Sequence, residues 1–574
     1  MKRFLALLLC LAMVVALFAA CGGDSGNSST SSSGGDNSSS AADSKTDDGD
    51  SESSAAEPST EVVNDTNPGT ELPIVTAPVT ISIVKERHML DTTKDYHEKA
   101  SFKNFTEETG VTLDFMELAA GTSGEQVPLL LAGGNMPNVF WALLSDSQIL
   151  QNEDSLVALE DLIPTYAPNC LATYDALTSV DWRQIATTPS GHIYGMLGRY
   201  EALYENSGDG IQIINKTWLD KVGKDIPTTL EEYKDVLIAF RDGDPNGNGQ
   251  KDEIPYGFCE NMWCASLTND MGIFGIGHGG ATGNAASTMY TIIDGKVEGA
   301  VNNDAYREYL EFYHELYSEG LISPEGFSES NEVFANHVRN YEIGTYYSWT
   351  ALEYLSTEQE KDWVVLPTLK AHEDTVPVAN GEVNRSTIQK NKWVITNTCD
   401  HPEAALRVWD YLARDTESKL TVALGEKGTL WDEYEDGSGY YFLVPEGSPE
   451  FTFEHMKYTY GTVNDPPLLT MDETPKNDGE VSPAAALRDQ MVAQVDKDFV
   501  AKENQLPAIY VTQEATDERS FLDTDLYSYV KQFRSQAVMD GFGDAEWEAY
   551  LKRLEDLQYS KWLQWYQDYM DGNL

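Results

Sequence analysis

The feature that most narrows the fold is an alternation at the start of the folded region. Val79-Thr80-Ile81-Ser82-Ile83-Val84 is a β-branched run that reads as a buried strand. Residues 97–108 then carry a helical pattern, Val111 to Met116 a second strand, a further helix ends at Gly133-Gly134, and Asn138 to Trp141 reads as a short third strand. Strand, helix, strand, helix, strand argues an α/β fold with a mainly parallel sheet, whose ligands sit beyond the strand carboxyl ends. Arg87, His88 and Trp141 fall at those ends. Amphipathic helices are expected over 229–240, 304–318, 402–413 and 544–570. A chain of 574 residues is too long for one core, because single cores stop growing beyond roughly 250 to 300 residues. Two or more lobes follow.

The first twenty residues stand apart. Lys2 and Arg3 precede an apolar stretch from Phe4 to Ala20, the charged and hydrophobic regions of an export signal, too short for a comfortable ~20-residue span. Phe18-Ala19-Ala20-Cys21-Gly22 resembles a bacterial lipobox, in which a cysteine after small residues is lipidated and becomes the new amino terminus. It departs from that pattern in holding Phe18 where Leu is usual. Acyl chains on Cys21 would anchor the protein to the cell membrane without a transmembrane helix. From Gly22 to Thr60 the chain is Ser, Gly and Asp-rich with no aromatic, Val, Leu, Ile or Met residue, so nothing offsets the entropy of ordering it. A disordered tether is expected as far as residue 78.

Charge excludes whole classes of partner. Against 39 Lys and Arg stand 94 Asp and Glu, a net charge of -55, which rules against nucleic-acid binding and against a polybasic membrane-surface mode. Beyond Cys10 and Cys21 four cysteines remain, Cys170, Cys259, Cys264 and Cys399. Export permits disulfides, but spacing gives no pairing, and no second pair at zinc-finger distance accompanies Cys259 and Cys264.

One loop points to a cation. Asp244, Asn246, Asn248, the backbone carbonyl of Gln250, Asp252 and Glu253 put oxygen donors at near-alternate positions, with Gly249 permitting a sharp turn. A hard cation such as Ca²⁺ gathers six or more oxygens, and this spacing supplies them. The EF-hand template places a bidentate Glu at loop position 12; counted from Asp244 that place holds Pro255, and Glu253 takes over. The loop directly follows a helix, so a structural clamp is expected.

These stretches resemble a known family, the extracellular solute-binding proteins of family 1, the lipoprotein receptors of carbohydrate ABC importers. The resemblance rests on Leu131-Ala-Gly-Gly-Asn-Met-Pro-Asn-Val-Phe-Trp141, Gly191-His-Ile-Tyr-Gly195, Ile214-Asn-Lys-Thr-Trp-Leu-Asp-Lys-Val-Gly223, Pro227-Thr-Thr-Leu-Glu-Glu-Tyr233, the loop from Asp244 to Glu253, Leu316-Tyr-Ser-Glu-Gly-Leu321 and Pro402-Glu-Ala-Ala-Leu-Arg407. Alginate-oligosaccharide receptors and related long lipoproteins are the most similar subgroup, in which the same loop holds structural calcium. The resemblance implies a type II periplasmic-binding-protein fold, with lobes joined by hinge crossings. One lobe would take residues 78–205 and 390–480 and the other residues 206–389 and 481–574, after a signal peptide over 1–20 and a lipidated tether over 21–78. A monomer that hands its sugar to membrane permease subunits is implied.

Sugars present apolar ring faces edged with hydroxyls, so a receptor needs aromatic platforms beside polar side chains. By the same resemblance Trp141, Trp263 and Trp349 would face the cleft, with Tyr200 beside the first hinge crossing, and Glu86 and Arg87 would make polar contacts. Trp547, Trp562 and Trp565 recur at helical spacing and read as core. No catalytic constellation stands out: His-Glu-x-x-His and a Walker A loop are missing, and Gly275, Gly277 and Gly280 match a dinucleotide fingerprint without its strand or helix. A receptor is the first expectation. A surface-anchored polysaccharide enzyme and a peptide receptor are the alternatives.

Overall fold

The β-branched run after Pro78 forms the strand its composition demands. The computed structural model describes residues 65–574 except 135, 202–210, 263, 277–288, 349, 351–353, 378–387, 445–452, 482–484 and 496–505. The signal sequence, Cys21 and residues 22–64 lie outside the described residues. In chain order the strands are β1 (Val79–Glu86), β2 (Val111–Leu118), β3 (Val139–Trp141), β4 (Gly195–Gly198), β5 (Ile211–Asn215), β6 (Ile254–Tyr256), β7 (Tyr290–Ile293), β8 (Lys296–Gly299), β9 (Ile343–Ser348), β10 (Trp363–Val365), β11 (Gln389–Ile395), β12 (Trp431–Glu433) and β13 (Tyr440–Phe442).

Two sheets organise two lobes. The first runs β2-β1-β3-β11-β4, with β1 parallel to β2 and β3, and β11 antiparallel to β3 and β4. Strand alternation divides its side chains between two faces. Ile81, Ile83, Val139, Trp141, Trp393 and Ile395 enter one core with the helix Pro402–Leu412, while Val84, Phe140 and Val394 enter another on the opposite face. The mainly parallel sheet expected from the strand–helix alternation is a mixed one, because β11 returns from the second sheet to pair antiparallel with β3 and β4; helices cover both of its faces. The second sheet runs β10-β5-β9-β6. Ile214 and Tyr256 face the largest core, shared with the helices Asp304–Ser318, Gln513–Asp540, Asp544–Asp556 and Tyr559–Met570, and Ile213 and Ile343 face a smaller one. The chain passes from the first sheet to the second between β4 and β5, returns between β10 and β11, and later adds its last helices to the second lobe.

Three further expectations need correction. The tether does not reach residue 78 as a coil: Thr66 bridges Val75, Ile74 and Val75 enter the first core, and the Gly69 N–H donates to the Thr165 carbonyl at 2.8 Å. The helix expected over 97–108 is two short 3₁₀ turns and a helix of Phe105–Thr109, because Asn104 takes a left-handed backbone (φ 59). The terminal helix is likewise divided at Gln558 (φ 64). Trp547, Trp562 and Trp565 are buried in the second-lobe core, and Cys170, Cys259, Cys264 and Cys399 are all buried.

Candidate ligand cleft and calcium loop

Because β1 and β3 are parallel, their carboxyl ends open on the same side, and the polar residues following them converge there. Lys85, Glu86, Arg87, His88, Asp91 and Tyr96 meet Ala142 and Leu143 from beyond β3 and Tyr458 to Asp465 from the returning chain, around one recess. A second recess adjoins it through Ala142, lined by Leu144, Asp146, Ile388 to Lys392 and Ala508. Ala508 precedes a helix that packs on the second lobe, so this recess lies between lobes.

The first recess is built around a half-buried carboxylate. Asp465 sits between Lys85 from β1 and Lys392 from β11, each ammonium 2.6 Å away, and its backbone carbonyl accepts from Trp141 Nε1 at 3.0 Å. Burial pushes the Asp465 carboxyl up, but the two lysines overcome it and hold it far below the usual carboxylate range. The same burial lowers Lys392 despite its partner. Two strand glycines make this assembly possible. A Cβ on Gly198 would lie 2.5 Å from the Pro466 carbonyl, and one on Gly195 would lie 2.7 Å from Asn391 Cα.

Above the carboxylate, His88 and Tyr458 stack with ring centroids 3.5 Å apart and an interplanar angle of 6°. Burial lowers His88, partly opposed by Asp465 and Asp91, so the imidazole is held toward its neutral form. Lys99 fixes the stack from behind. Its ammonium pairs with Asp91 at 3.0 Å and donates to the carbonyls of Tyr458 (2.6 Å) and Gly461 (3.0 Å) at the end of the helix Phe453–Tyr460. Asn464 Nδ2 donates to the Tyr458 hydroxyl at 2.9 Å.

The structure distributes the residues expected in the cleft unevenly. Glu86 and Arg87 line the recess. Glu86 also accepts from the N–H groups of Thr122 (2.8 Å) and Ser123 (2.9 Å), capping the helix Ser123–Ala132, and Arg87 donates to the Thr93 carbonyl and Glu117. Trp141 is not a platform. It is 0% exposed, enclosed by Tyr96, Phe102, Phe115, Trp393 and Trp409, because it shares the inward face of β3 with Val139. Tyr200 is also buried, in a satellite core with Trp431 and Phe442. Trp263 and Trp349 lie outside the described residues. The aromatic pair that does reach the recess, His88 and Tyr458, was half visible: His88 followed the first strand, whereas no motif marks Tyr458.

The second recess ties the lobes together. Asn391 has a left-handed backbone (φ 59) at a bulge in β11, accepts from the Tyr510 hydroxyl at 2.6 Å and donates to Asp146 at 3.0 Å. Lys390 pairs with Asp146 at 2.6 Å and lies 3.8 Å from the Tyr510 ring centroid.

The loop expected to hold a cation follows the helix Leu230–Gly243, which ends as Asp244 turns left-handed (φ 47). Asp244 accepts from the N–H groups of Gly247 (3.1 Å) and Gly249, and Asn246 and Asn248 both donate their amides to Asp252 at 2.9 Å. Glu253 Oε1 is buried without a hydrogen-bond partner among the described residues. Burial pushes its carboxyl up, and the charges of Asp252 and Asp244 add to this. Among the described residues no three His, Cys, Asp or Glu side chains converge as metal ligands. Two inner positions of this loop are Asn, whose amide oxygens accept from the N–H groups of Asn248 (3.0 Å) and Gln250 (2.7 Å). An orphaned, buried carboxylate oxygen at the end of a loop of oxygen donors fits a hard cation.

Two sheets joined by chain crossings, with a polar recess at the strand ends of the first, define a two-lobed solute-binding protein. The chain belongs to the bacterial extracellular solute-binding protein family, whose profile matches residues 100–423. It is 26% identical over 497 residues to the fructooligosaccharide ABC transporter substrate-binding protein FusA of Streptococcus pneumoniae serotype 4, covering 83% of this chain and 88% of that protein. It is 25% identical over 229 residues to lipoprotein LipO of Bacillus subtilis, covering 39% of this chain and 41% of LipO. The structure of FusA with kestose superposes with a TM-score of 0.70 at 24% identity over 86% of this chain and 99% of that one. FusA has also been solved as an EF-hand mutant in complex with fructo-nystose, with the same TM-score of 0.70, identity of 24% and coverage of 86% and 99%. An extracellular solute-binding protein from Bifidobacterium longum subsp. infantis gives 0.71 at 19% identity over 86% and 98%.

Proposed function

We propose that this protein captures an oligosaccharide between its lobes and delivers it, chemically unchanged, to the permease of an ABC importer. The observation that carries the reading is the recess at the ends of β1 and β3. It sets the stacked rings of His88 and Tyr458 among amide and charged groups. That combination matches a sugar ring's apolar face and hydroxyl edge. Kinship with FusA over most of both chains supports a carbohydrate. Closure of the lobes would follow from contacts made only in the closed state. Glu86 and Arg87 frame the recess, and Trp263 and Trp349 would serve it from the second lobe. Isothermal titration with kestose, fructo-nystose and other oligosaccharides tests the reading: saturable heat with the sugar recovered intact supports it, and heat only with peptides, or a cleaved sugar, rejects it. Tyr458→Ala is expected to weaken binding by about 1 kcal/mol or more, roughly five-fold, as losing a desolvated aromatic anchor does. Affinity equal to wild type would remove Tyr458 from the site.

The same reading places the protein outside the cytoplasm as a monomer held by lipid on Cys21, in keeping with its likeness to LipO. Asp244, Asn246, Asn248, the Gln250 carbonyl, Asp252 and Glu253 would hold Ca²⁺, which would neutralise the loop's carboxylates. A bound ion stabilises only the native state, by about 2.7 kcal/mol at a concentration 100 times Kd. Chelation should therefore lower Tm without abolishing the fold, and Glu253→Gln should shrink that shift. A Tm indifferent to both chelator and added calcium would reject the ion.

A further inference from the structure

The two adjoining recesses arrange charge in the same order, with the carboxylate in front and the ammonium behind it. Asp465 lines the first recess and its side chain is 21% exposed, whereas Lys85 and Lys392, which grip its two oxygens at 2.6 Å, are 5% and 7% exposed. In the second, Asp146 is 41% exposed and its partner Lys390, 2.6 Å away, only 13%. Aromatic faces cover two of these lysines: the Trp141 ring lies 4.5 Å from the Lys85 ammonium and the Tyr510 ring 3.8 Å from that of Lys390. The other cations of the first recess are engaged as well, Arg87 with Glu117 and Lys99 with Asp91. A ligand entering here therefore meets carboxylate oxygens before it meets any ammonium. Each Asp465 oxygen has taken one lysine and keeps a lone pair for a further donor. Hydroxyl groups supply such donors, whereas a second carboxylate would be desolvated against like charge with no cation free to pair it.

We infer that Asp465 determines the specificity of the cleft: its carboxylate accepts from hydroxyl groups of an uncharged sugar ring and, with Lys85 and Lys392 held behind it, excludes uronates. The inference rests on the carbohydrate reading above. Losing a hydrogen bond to a charged group weakens binding by about ten-fold or more. Asp465→Asn keeps the side chain's shape but removes its charge, which frees two ammonium groups at the floor of the recess. The variant is therefore expected to bind uncharged sugars about ten-fold more weakly and uronates more tightly than wild type does, with the new uronate affinity falling as salt rises. A merely structural role for Asp465 would weaken both classes alike.

The test is isothermal titration of wild type and Asp465→Asn with kestose, fructo-nystose, and manno- and mannuronate oligosaccharides of matched length, with thermal unfolding of each protein. Should two unpaired lysines prevent folding, Asp465→Asn combined with Lys392→Met leaves only one and is read in the same way. Wild-type preference for an uncharged sugar by about ten-fold or more, narrowed or inverted in the variant, supports the assignment. It is overturned if wild type binds a uronate as tightly as any uncharged sugar, if the variant keeps wild-type affinity for the uncharged sugar, or if it loses both classes by the same factor. Those results leave the carbohydrate reading standing. A wild-type protein that binds no sugar of the panel overturns that reading and this assignment with it.

Discussion

Arg534→Met is expected to lower the unfolding free energy by about 3 to 5 kcal/mol, the loss that follows when one partner of a buried ion pair is removed. Arg534 lies on the helix Gln513–Asp540 and Glu260 in the loop after β6, and their side chains are each 2% exposed. Glu260 also accepts from the Ser266 hydroxyl at 3.0 Å. Burial disfavours the Arg534 cation, yet the Glu260 carboxylate, aided by Tyr306, Tyr309 and Tyr527, holds it well above its ordinary range. Methionine fills similar volume but leaves Glu260 buried and uncompensated. The double variant Glu260→Met with Arg534→Met should recover much of the loss, since it removes both desolvated charges. Denaturant unfolding of both singles and the double measures the coupling. A single variant costing less than about 1 kcal/mol would show that water or relaxation already screens the pair, as at exposed sites. The pair clamps the loop that carries Trp263 in sequence to the helix layer, so a loss of stability here should be accompanied by weaker ligand binding.

What the sequence reveals depends on whether a feature is local. β1 to β3 were readable because β-branched residues crowd a short span, and the cation loop because its oxygen donors occupy one contiguous stretch. The helix Gln513–Asp540 carries no clear apolar stripe: its buried side includes Arg534 and its outer side is acidic, so periodicity does not announce it. The ordered segment before Pro78 was signalled only by the adjacent apolar pair Ile74 and Val75, which a composition of Ser and Asp upstream obscures. The cleft was legible on one wall. Glu86, Arg87 and His88 follow a recognisable strand, but Tyr458 and Asp465 arrive from about 380 residues further on, and only the fold brings them to Lys85. Trp141 shows the opposite failure. Resemblance put it in the cleft, whereas strand alternation with Val139 already placed it on the inward face of β3.

Trp141 therefore supplies a test of core against cleft. As a cleft platform it would lose affinity on truncation while the fold stayed intact; as a core residue it should lose stability. Trp141→Ala removes a fully buried indole from among five aromatic rings, which predicts a loss of about 3 to 5 kcal/mol for Trp-to-Ala truncation. Two further contacts disappear with it: Nε1 no longer donates to the Asp465 carbonyl, and the Lys85 ammonium, 4.5 Å from the ring centroid, loses its aromatic face. Trp141→Phe separates these effects. It retains most of the packing but leaves the Asp465 carbonyl without its donor, a cost of about 1 to 3 kcal/mol for an unsatisfied buried polar group. Because Asp465 also holds Lys85 and Lys392, some loss of ligand affinity in Trp141→Ala is expected through the cleft floor. In Trp141→Phe, measured well below Tm, affinity should stay near wild type. A phenylalanine variant that keeps its Tm yet binds sugar ten-fold more weakly would return Trp141 to the cleft and place the ligand against β3.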